Sequence, residues 1–317
     1  MRLAWLRAHA PREHDPLDDI AALLQALRAD HQIEIFATET LTGFASAHTR
    51  SPFDLGIYEI TDPQTAAALA AVTVPLNRVL VVRTLAVNNL PALIAGSTIT
   101  IVPYQGVADD LRARFPGADV RVVTVGVSGG AENQPGQQHS EKDPEHVVIG
   151  VFPPARADVV RRALAREGLS AEAAIGPGLS PGEIFLNADL VVSVAWPWAG
   201  EPAIETLVAM AAAKPVVTLE TVGTAEWPAL DPQSWRPRGP GSAAPVVVSI
   251  DPLDEEHSLG LALARLSKDA ALRAQLGAAA QQWWQTHATP AHAAAGWNAL
   301  LRESRPLGPP TDNPARL

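Results

Sequence analysis

The chain has 317 residues and a formal net charge of −10, and 47% of its residues are hydrophobic and 18% charged. Its length leaves room for two domains of typical size, and its composition excludes a wholly disordered chain. The negative charge argues against nonspecific binding to nucleic acid or to an anionic membrane. The chain has no cysteine, so disulfides and thiolate metal sites are excluded.

The first residues favour a cytoplasmic protein. The stretch MRLAWLRAHAPREHD has no apolar region long enough for a signal peptide, and no apolar run in the chain reaches 18 residues. We therefore predict a cytoplasmic location and no integral membrane segment. The abundance of alanine, arginine and proline indicates a bacterial source.

The first part of the chain alternates short strands with helices. A strand over Met1–Leu6 is followed by a loop rich in proline and charge, and apolar residues then recur at helical spacing over Leu17–Ala29. Further strands are predicted over Gln32–Ala37, Leu55–Ile60, Val79–Val82, Ile99–Val102 and Val120–Val125, and helices over Pro63–Ala71 and Val107–Phe115. This alternation is typical of a parallel sheet that helices cover on both faces.

The alternation is interrupted by SGGAENQPGQQHSEKDPE, which has no aliphatic core residue, and it then restarts. The second series of predicted strands covers His146–Val151, Glu172–Ile175, Asp189–Val194, Val216–Leu219 and Ala244–Ile250. We predict an N-terminal Rossmann-like lobe over 1–128, a linker or exposed loop over 129–145 and a C-terminal Rossmann-like lobe over 146–290. A closing helix over 291–305 and a disordered tail over 306–317 complete the chain.

A strand–helix–strand unit over Leu190–Leu219 has two glutamates where its helix begins. Pro202 fits the first helical turn, and Pro215 ends the helix. In a parallel sheet this helix begins at the carboxyl edge, where open α/β sheets bind ligands. Glu201 and Glu205 are then either first-turn acids, each worth about 0.3–1 kcal/mol through the helix macrodipole, or carboxylates that accept hydrogen bonds from a sugar. Their spacing does not decide between these alternatives.

The C-terminal half resembles one known family in three segments, ADLVVSVAWPWAGEPAIETLVAMAAAKPVV, GTAEWP and LSKDAALRAQLGAAAQQWWQTHATPAHAAAGWNALLRE. They are similar to the C-terminal lobe of the large retaining glycosyltransferase family with two Rossmann-like lobes, known as the GT-B fold. MRLAWLRAHAP and VADDLRARFPGADVRVVTVGV are similar to parts of that family's N-terminal lobe. The resemblance covers most of residues 1–305. It implies an α/β protein with a cleft between two lobes and a closing helix that returns to the N-terminal lobe.

The resemblance also implies a binding site for a nucleotide sugar, without a metal or another cofactor, but the family's site residues are present only in part. Family members have a second Glu seven residues beyond the first, a position held here by Val208. Where the nearest subgroup has a His-Asp pair, this chain has Arg83 and Thr84. The family's diphosphate-binding Arg and Lys follow the first strand of the C-terminal lobe, where this chain offers Arg156 and no lysine.

The candidate substrate-binding residues are Gly200, Glu201, Glu205, Arg156 and Arg83. In the family, the position of Glu201 contacts the donor sugar, whereas Glu205 has no counterpart. Either arginine is a candidate for the contact with the donor phosphates. No catalytic residue and no metal ligand is assigned.

Three hypotheses follow for the function. The protein is a degenerate relative, a pseudoenzyme that binds or assembles with another protein such as an active glycosyltransferase. Alternatively, it is an active glycosyltransferase with an atypical site that transfers a sugar from a nucleotide sugar to an acceptor, or another enzyme on the same scaffold, such as an epimerase of nucleotide sugars. Fold alone does not separate these hypotheses. The missing His-Asp pair, lysine and second Glu favour the pseudoenzyme, and whether the chain is an enzyme stays open here.

Overall fold

Two β-sheets, built mainly from parallel strands, form the framework of the protein. The computed structural model describes residues 1–12, 15–129, 147–169, 172–173, 184–185, 187–238 and 243–304. Within these ranges the first sheet has six strands and the second has seven. We call the first sheet with its helices the N-lobe and the second sheet with its helices the C-lobe.

All strands of the N-lobe sheet run parallel. They are β1 (Arg2–Arg7), β2 (Gln32–Ala37), β3 (Leu55–Ile60), β4 (Arg78–Val82), β5 (Ile99–Val102) and β6 (Val120–Val122). Their order across the sheet is β2-β1-β3-β4-β5-β6. The three strands β3, β4 and β5 are almost wholly buried. Burial on both faces explains why their sequences are nearly continuous apolar runs rather than alternating ones.

The C-lobe sheet has one antiparallel edge. Its strands are β7 (Val148–Phe152), β8 (Glu172–Ala173), β9 (Leu190–Ser193), β10 (Val216–Leu219), β11 (Ala229–Leu230), β12 (Pro237–Arg238) and β13 (Val247–Ile250). They lie in the order β12-β11-β13-β10-β9-β7-β8, and β12 runs antiparallel to β11. The sequence did not predict β11 and β12, because a two-residue strand carries no periodic signal.

Helices cover both faces of each sheet. The first five are α1 (Asp19–Leu27), α2 (Phe44–Arg50), α3 (Pro63–Ala70), α4 (Leu90–Ala95) and α5 (Gln105–Arg114). The next five are α6 (Ala157–Arg166), α7 (Ile204–Ala211), α8 (Glu255–Lys268), α9 (Ala270–His287) and α10 (Pro290–Glu303). One contiguous apolar cluster contains side chains of α3, α4 and α5 together with side chains of α7. The two lobes therefore share part of their core.

Helix α10 lies on the N-lobe although it follows the C-lobe in the chain. Its Trp297 ring lies 5.0 Å from the ring of Trp5 on β1, and its apolar face packs in the cluster under α1. The helix begins where the sequence indicates, because the Thr289 hydroxyl accepts the backbone N–H of His292 and Pro290 occupies the first helical position.

The chain passes between the lobes twice, at adjacent positions. The N–H of Val127, on the first passage, donates to the carbonyl of Ala288 on the second at 2.9 Å. The indole N–H of Trp284 donates to the carbonyl of Val127 at 3.1 Å. The two passages are thus tied to each other and form one joint between the lobes.

The predicted α/β architecture with two parallel sheets is confirmed, but several elements differ. The predictions omitted α2 and α4, which are only seven and six residues long. Helix α8, which the predictions above do not include, begins at Glu255, because the Asp251 carboxylate caps a short turn that leads directly into it. The predicted tail, and the predicted linker apart from Gly129, lie outside the described residues, so the division between the lobes at 129–145 stays a prediction.

The turn after α7 places a non-glycine residue in a left-handed conformation. Ala213 has φ of 55°. The N–H of Lys214 bonds to the carbonyl of Ala209, and that of Ala213 to the carbonyl of Met210, the pattern of a Schellman C-cap. The first residue after the cap is usually glycine because a Cβ disfavours this backbone conformation. The chain thus has alanine at a position where the backbone favours glycine.

We expect Ala213→Gly to stabilise the protein by about 0.5–1 kcal/mol, since it relieves a left-handed alanine that costs about 1–2 kcal/mol, less the added flexibility of glycine. Urea unfolding with an unchanged m value is the measurement. Ala212→Gly is the matched control: Ala212 has φ of −82°, so this change should destabilise by up to about 1 kcal/mol. Equal effects of the two changes would contradict the interpretation.

Candidate functional site

The connection between β9 and α7 holds three of the candidate residues at the carboxyl edge of the C-lobe sheet. Gly200 has φ of 95°, a value that glycine adopts without strain. The Glu201 carboxylate turns back and accepts the backbone N–H of Ala199 at 2.7 Å. The Trp198 indole donates to the carbonyl of Glu201 at 2.9 Å. These bonds fix the connection in a tight turn, with Glu205 one turn further along.

The same connection touches the end of β4 in the N-lobe. The Thr84 hydroxyl lies 3.2 Å from a Glu201 carboxylate oxygen and donates to it. The N–H of Leu85 donates to the carbonyl of Ala199 at 2.5 Å. The Leu85 side chain lies over Gly200, where a Cβ would come within 2.9 Å of its Cγ. The Glu201 carboxylate therefore has hydrogen-bond partners in both lobes.

Tyr104, just after β5, reaches the beginning of α7. Its hydroxyl oxygen accepts the N–H of Ala203 at 2.8 Å, so an amide that precedes the helix is satisfied by the N-lobe. The sequence placed Pro202 in the first turn, whereas the helix begins at Ile204, because Ala203 has φ of −80° and ψ of 66°, outside the helical region. Burial raises the pKa of the Tyr104 hydroxyl, which stays protonated at neutral pH.

A further contact joins the segments that follow β5 and β10. A Glu226 carboxylate oxygen accepts the N–H of Gly106 at 2.8 Å. A Cβ on Gly106 would lie 2.4 Å from Cγ1 of Val222, and a Cβ on Gly223 would lie 2.6 Å from the Tyr104 ring. These glycines allow the two lobes to approach within van der Waals distance.

Glu205 is a partly buried carboxyl without a cationic partner among the residues that the structure describes. Its carboxylate accepts its own backbone N–H. Burial raises the pKa of the Glu205 carboxyl above its ordinary value, because the charged form loses hydration. It lies close enough to Tyr104 that its charge further disfavours ionisation of that hydroxyl.

Arg83 follows β4 directly, but its side chain points into the N-lobe. Its guanidinium makes two bonds of 2.7 and 2.6 Å to the Asp19 carboxylate, and its Nε lies 3.8 Å from Glu59. Burial alone would lower the pKa of Arg83, but the Asp19 and Glu59 carboxylates raise it above its ordinary value. A cavity of about 20 Å³ beside Arg83 and Asp19 has room for about one water molecule. Arg83 is thus a charged residue already paired with acids.

Arg156 follows β7, the strand next to β9 in the C-lobe sheet. Its Nε donates to the carbonyl of Val194 at 3.2 Å, and its terminal nitrogen contacts both Glu255 carboxylate oxygens at 2.5 Å. The pair joins the beginning of α8 to the end of β9. Arg156 makes these bonds rather than bonds to the Gly200–Glu205 segment.

Two classes of feature are absent from the described part of the chain. It contains no group of three or more His, Asp or Glu side chains that could hold a metal ion. It also contains no helix that is both long and apolar enough to cross a membrane.

The sequence matches no protein-family model, and a search of curated proteins finds no similar sequence. The structure is similar to several solved proteins over nearly its full length. One of them is HepE of Anabaena, which was solved with UDP and glucose and also with UDP-glucose. The structure with UDP and glucose matches this chain with a TM-score of 0.66 and 12% sequence identity, and the match covers 96% of this chain and 100% of HepE. Sucrose-phosphate synthase of Thermosynechococcus elongatus matches with a TM-score of 0.66 and 13% sequence identity, over 95% of this chain and 98% of the synthase. WaaG, a glycosyltransferase involved in lipopolysaccharide biosynthesis, matches with a TM-score of 0.56 and 10% sequence identity, over 92% of this chain and 98% of WaaG.

The chain has the GT-B fold. The predicted fold class is therefore confirmed, and the fold matches that of nucleotide-sugar glycosyltransferases. At 10 to 13% identity the similarity concerns the fold, so the chemistry of the site rests on this chain's own residues.

The structure brings some of the predicted site residues together and separates others. Gly200, Glu201 and Glu205 lie together where the two lobes of the GT-B fold meet. The side chains of Arg83 and Arg156 each turn to an acid elsewhere. Tyr104 was missed by the sequence interpretation, although a tyrosine directly after an apolar strand fits the rule that ligand sites lie at carboxyl edges. The end of β5 is such a carboxyl edge in the N-lobe, and Tyr104 lies there.

We expect Glu205→Gln to stabilise the protein at about pH 7 and to have no effect near pH 3.5. The pKa of this carboxyl is raised in the folded state, so ionisation at higher pH costs stability, and that cost is absent below the ordinary value of about 4.3. Thermal unfolding of both proteins across this pH range is the measurement. Glu39→Gln, at an exposed glutamate, is the control and should change the melting temperature little at either pH. A Glu205→Gln effect that does not depend on pH would contradict the assignment.

Proposed function

We propose that this protein is a GT-B-fold pseudoenzyme that binds or assembles with another protein, such as an active glycosyltransferase, and that its own sugar transfer is absent or very weak. The observation that carries the proposal is the pair of hydrogen bonds that the Glu201 carboxylate makes within this chain. Its carboxylate already accepts hydrogen bonds from Thr84 and Ala199. In the resembling family this position contacts the donor sugar.

Electrostatics support the same conclusion. Transfer from a nucleotide sugar releases a diphosphate, whose growing negative charge needs positively charged groups or amides fixed around it. The candidate cations are Arg83 and Arg156, and each forms an ion pair with acids of this chain. A phosphate would have to displace those carboxylates, and two of them, Asp19 and Glu59, are buried. Loss of one such stabilising contact typically costs about 10²–10³ in rate.

The second candidate function is an active glycosyltransferase with an atypical site. It is favoured by the match along the whole GT-B fold to HepE, which was solved with UDP and glucose and with UDP-glucose. It is also favoured by the presence of Glu201. On this alternative the donor is a nucleotide sugar, and Arg83 or Arg156 leaves its acid to contact the phosphates.

A panel of radiolabelled nucleotide sugars distinguishes the two functions. We expect neither hydrolysis nor transfer above background, because the charge of the leaving group is not stabilised. Turnover on the order of 1 s⁻¹ that is lost in Glu201→Ala and kept in Glu39→Ala would establish the active enzyme instead. A melting-temperature increase with UDP, but not with uridine, would show that the site still binds a nucleoside diphosphate without catalysis.

A further inference from the structure

Four hydrogen bonds close the GT-B cleft directly beside α7. They join Thr84 to Glu201, Leu85 to Ala199, Tyr104 to Ala203 and Gly106 to Glu226. We call these eight residues the interlobe latch. Each bond has one partner in a segment that follows a strand of the N-lobe sheet and the other in a segment that follows a strand of the C-lobe sheet.

The latch is also closed sterically. A Cβ on Gly200 would come within 2.9 Å of Leu85, and one on Gly223 within 2.6 Å of the Tyr104 ring. These distances leave no room for a sugar ring between the lobes at this point, because carbon atoms in contact lie about 3.5–4.0 Å apart. Glu201 itself is exposed, but a ligand that lies between the lobes over Gly200 would have to displace Leu85 or separate the lobes.

We propose that the interlobe latch is an autoinhibitory closure, and that a ligand reaches α7 only after the latch opens. The groups that the latch occupies are the Glu201 carboxylate and the Ala203 amide, which suit the hydroxyls and phosphates of a sugar nucleotide. Opening takes place about the joint at Val127 and Ala288, where the chain passes between the lobes. The statement about ligand entry rests on the proposed function, whereas the closure itself does not.

The absence of cysteine makes a cross-link test possible, since any thiol in the experiment is an engineered one. In Gly106→Cys combined with Val222→Cys, the new Cβ at 106 lies 2.4 Å from the position of Val222 Cγ1, close enough for a disulfide. We expect the folded double variant to form this disulfide completely in mild oxidant, as measured by thiol titration. We expect the cross-linked protein to bind UDP at least tenfold more weakly than the same protein after reduction.

Variants that each remove one contact of the latch, called opening variants here, test whether that contact holds the lobes closed. Glu226→Ala removes the acceptor of the Gly106 amide, whereas the matched control Glu226→Gln keeps an acceptor oxygen at that place. We expect amide hydrogen exchange in peptides covering 84–106 and 196–206 to quicken about tenfold in Glu226→Ala and to stay unchanged in Glu226→Gln. Leu85→Ala should behave like Glu226→Ala, and the volume-conserving Leu85→Met like the wild type. UDP affinity, measured by calorimetry, should rise in the two opening variants, because the competent state becomes more populated.

The results that overturn the proposal differ from those that overturn the proposed function. A disulfide that fails to form in the folded double variant, or wild-type exchange rates in both opening variants, would show that the latch is not closed in solution. Equal UDP affinity in the cross-linked and reduced forms would show that the latch does not control entry. If the cross-link and exchange results hold and UDP binds no form, the closure stands, whereas ligand entry through the latch and the nucleotide-sugar donor of the second candidate function are wrong.

Discussion

The Glu201 carboxylate accepts hydrogen bonds from both lobes, and the arrangement of the cleft depends on it. Its bond to Ala199 folds the β9–α7 connection back on itself, and its bond to Thr84 holds that turn against the N-lobe. The turn also requires Gly200, whose backbone conformation and lack of a side chain let Leu85 lie directly over it. A carboxylate at a helix start thus serves here as the acceptor that joins two sheets.

The acids of this chain balance its buried arginines within each lobe. Arg83 is held by Asp19 and lies near Glu59, which also accepts the Trp5 indole N–H at 3.1 Å and lies 3.2 Å from Nε of Arg7. An unpaired charge in such a place would be costly, so these carboxylates and guanidinium groups require one another. The network explains why Arg83, a candidate for the contact with the donor phosphates, does not present a free cation to the cleft.

The sequence predicted those features that arise from local patterns. Apolar runs located most strands of the two sheets, and the closing helix predicted from residue 291 begins at Pro290. Other features depend on contacts between residues far apart in the chain. The pairing of Arg83 with Asp19 spans 64 residues and that of Arg156 with Glu255 spans 99, and no local pattern announces either. The contact of Tyr104 with the Ala203 amide, 99 residues later in the chain, is likewise not visible in any local pattern.

The departures from the resembling family lie where this chain satisfies its own polar groups. Thr84 stands where the nearest subgroup has Asp, and its hydroxyl is the donor that Glu201 accepts. A hydrogen bond between neutral groups is worth roughly 0.5–1.5 kcal/mol net, and one to a charged group roughly 1.5–3. If four latch bonds contribute independently, two of them to carboxylates and two between neutral groups, they oppose opening by roughly 4–9 kcal/mol, and a ligand that needs the open state loses roughly a thousandfold or more in affinity. Under the proposed loss of sugar transfer, these departures act in two ways. They take away the charges that a departing diphosphate requires, and they supply contacts that compete with the ligand for the same carboxylate and the same amides.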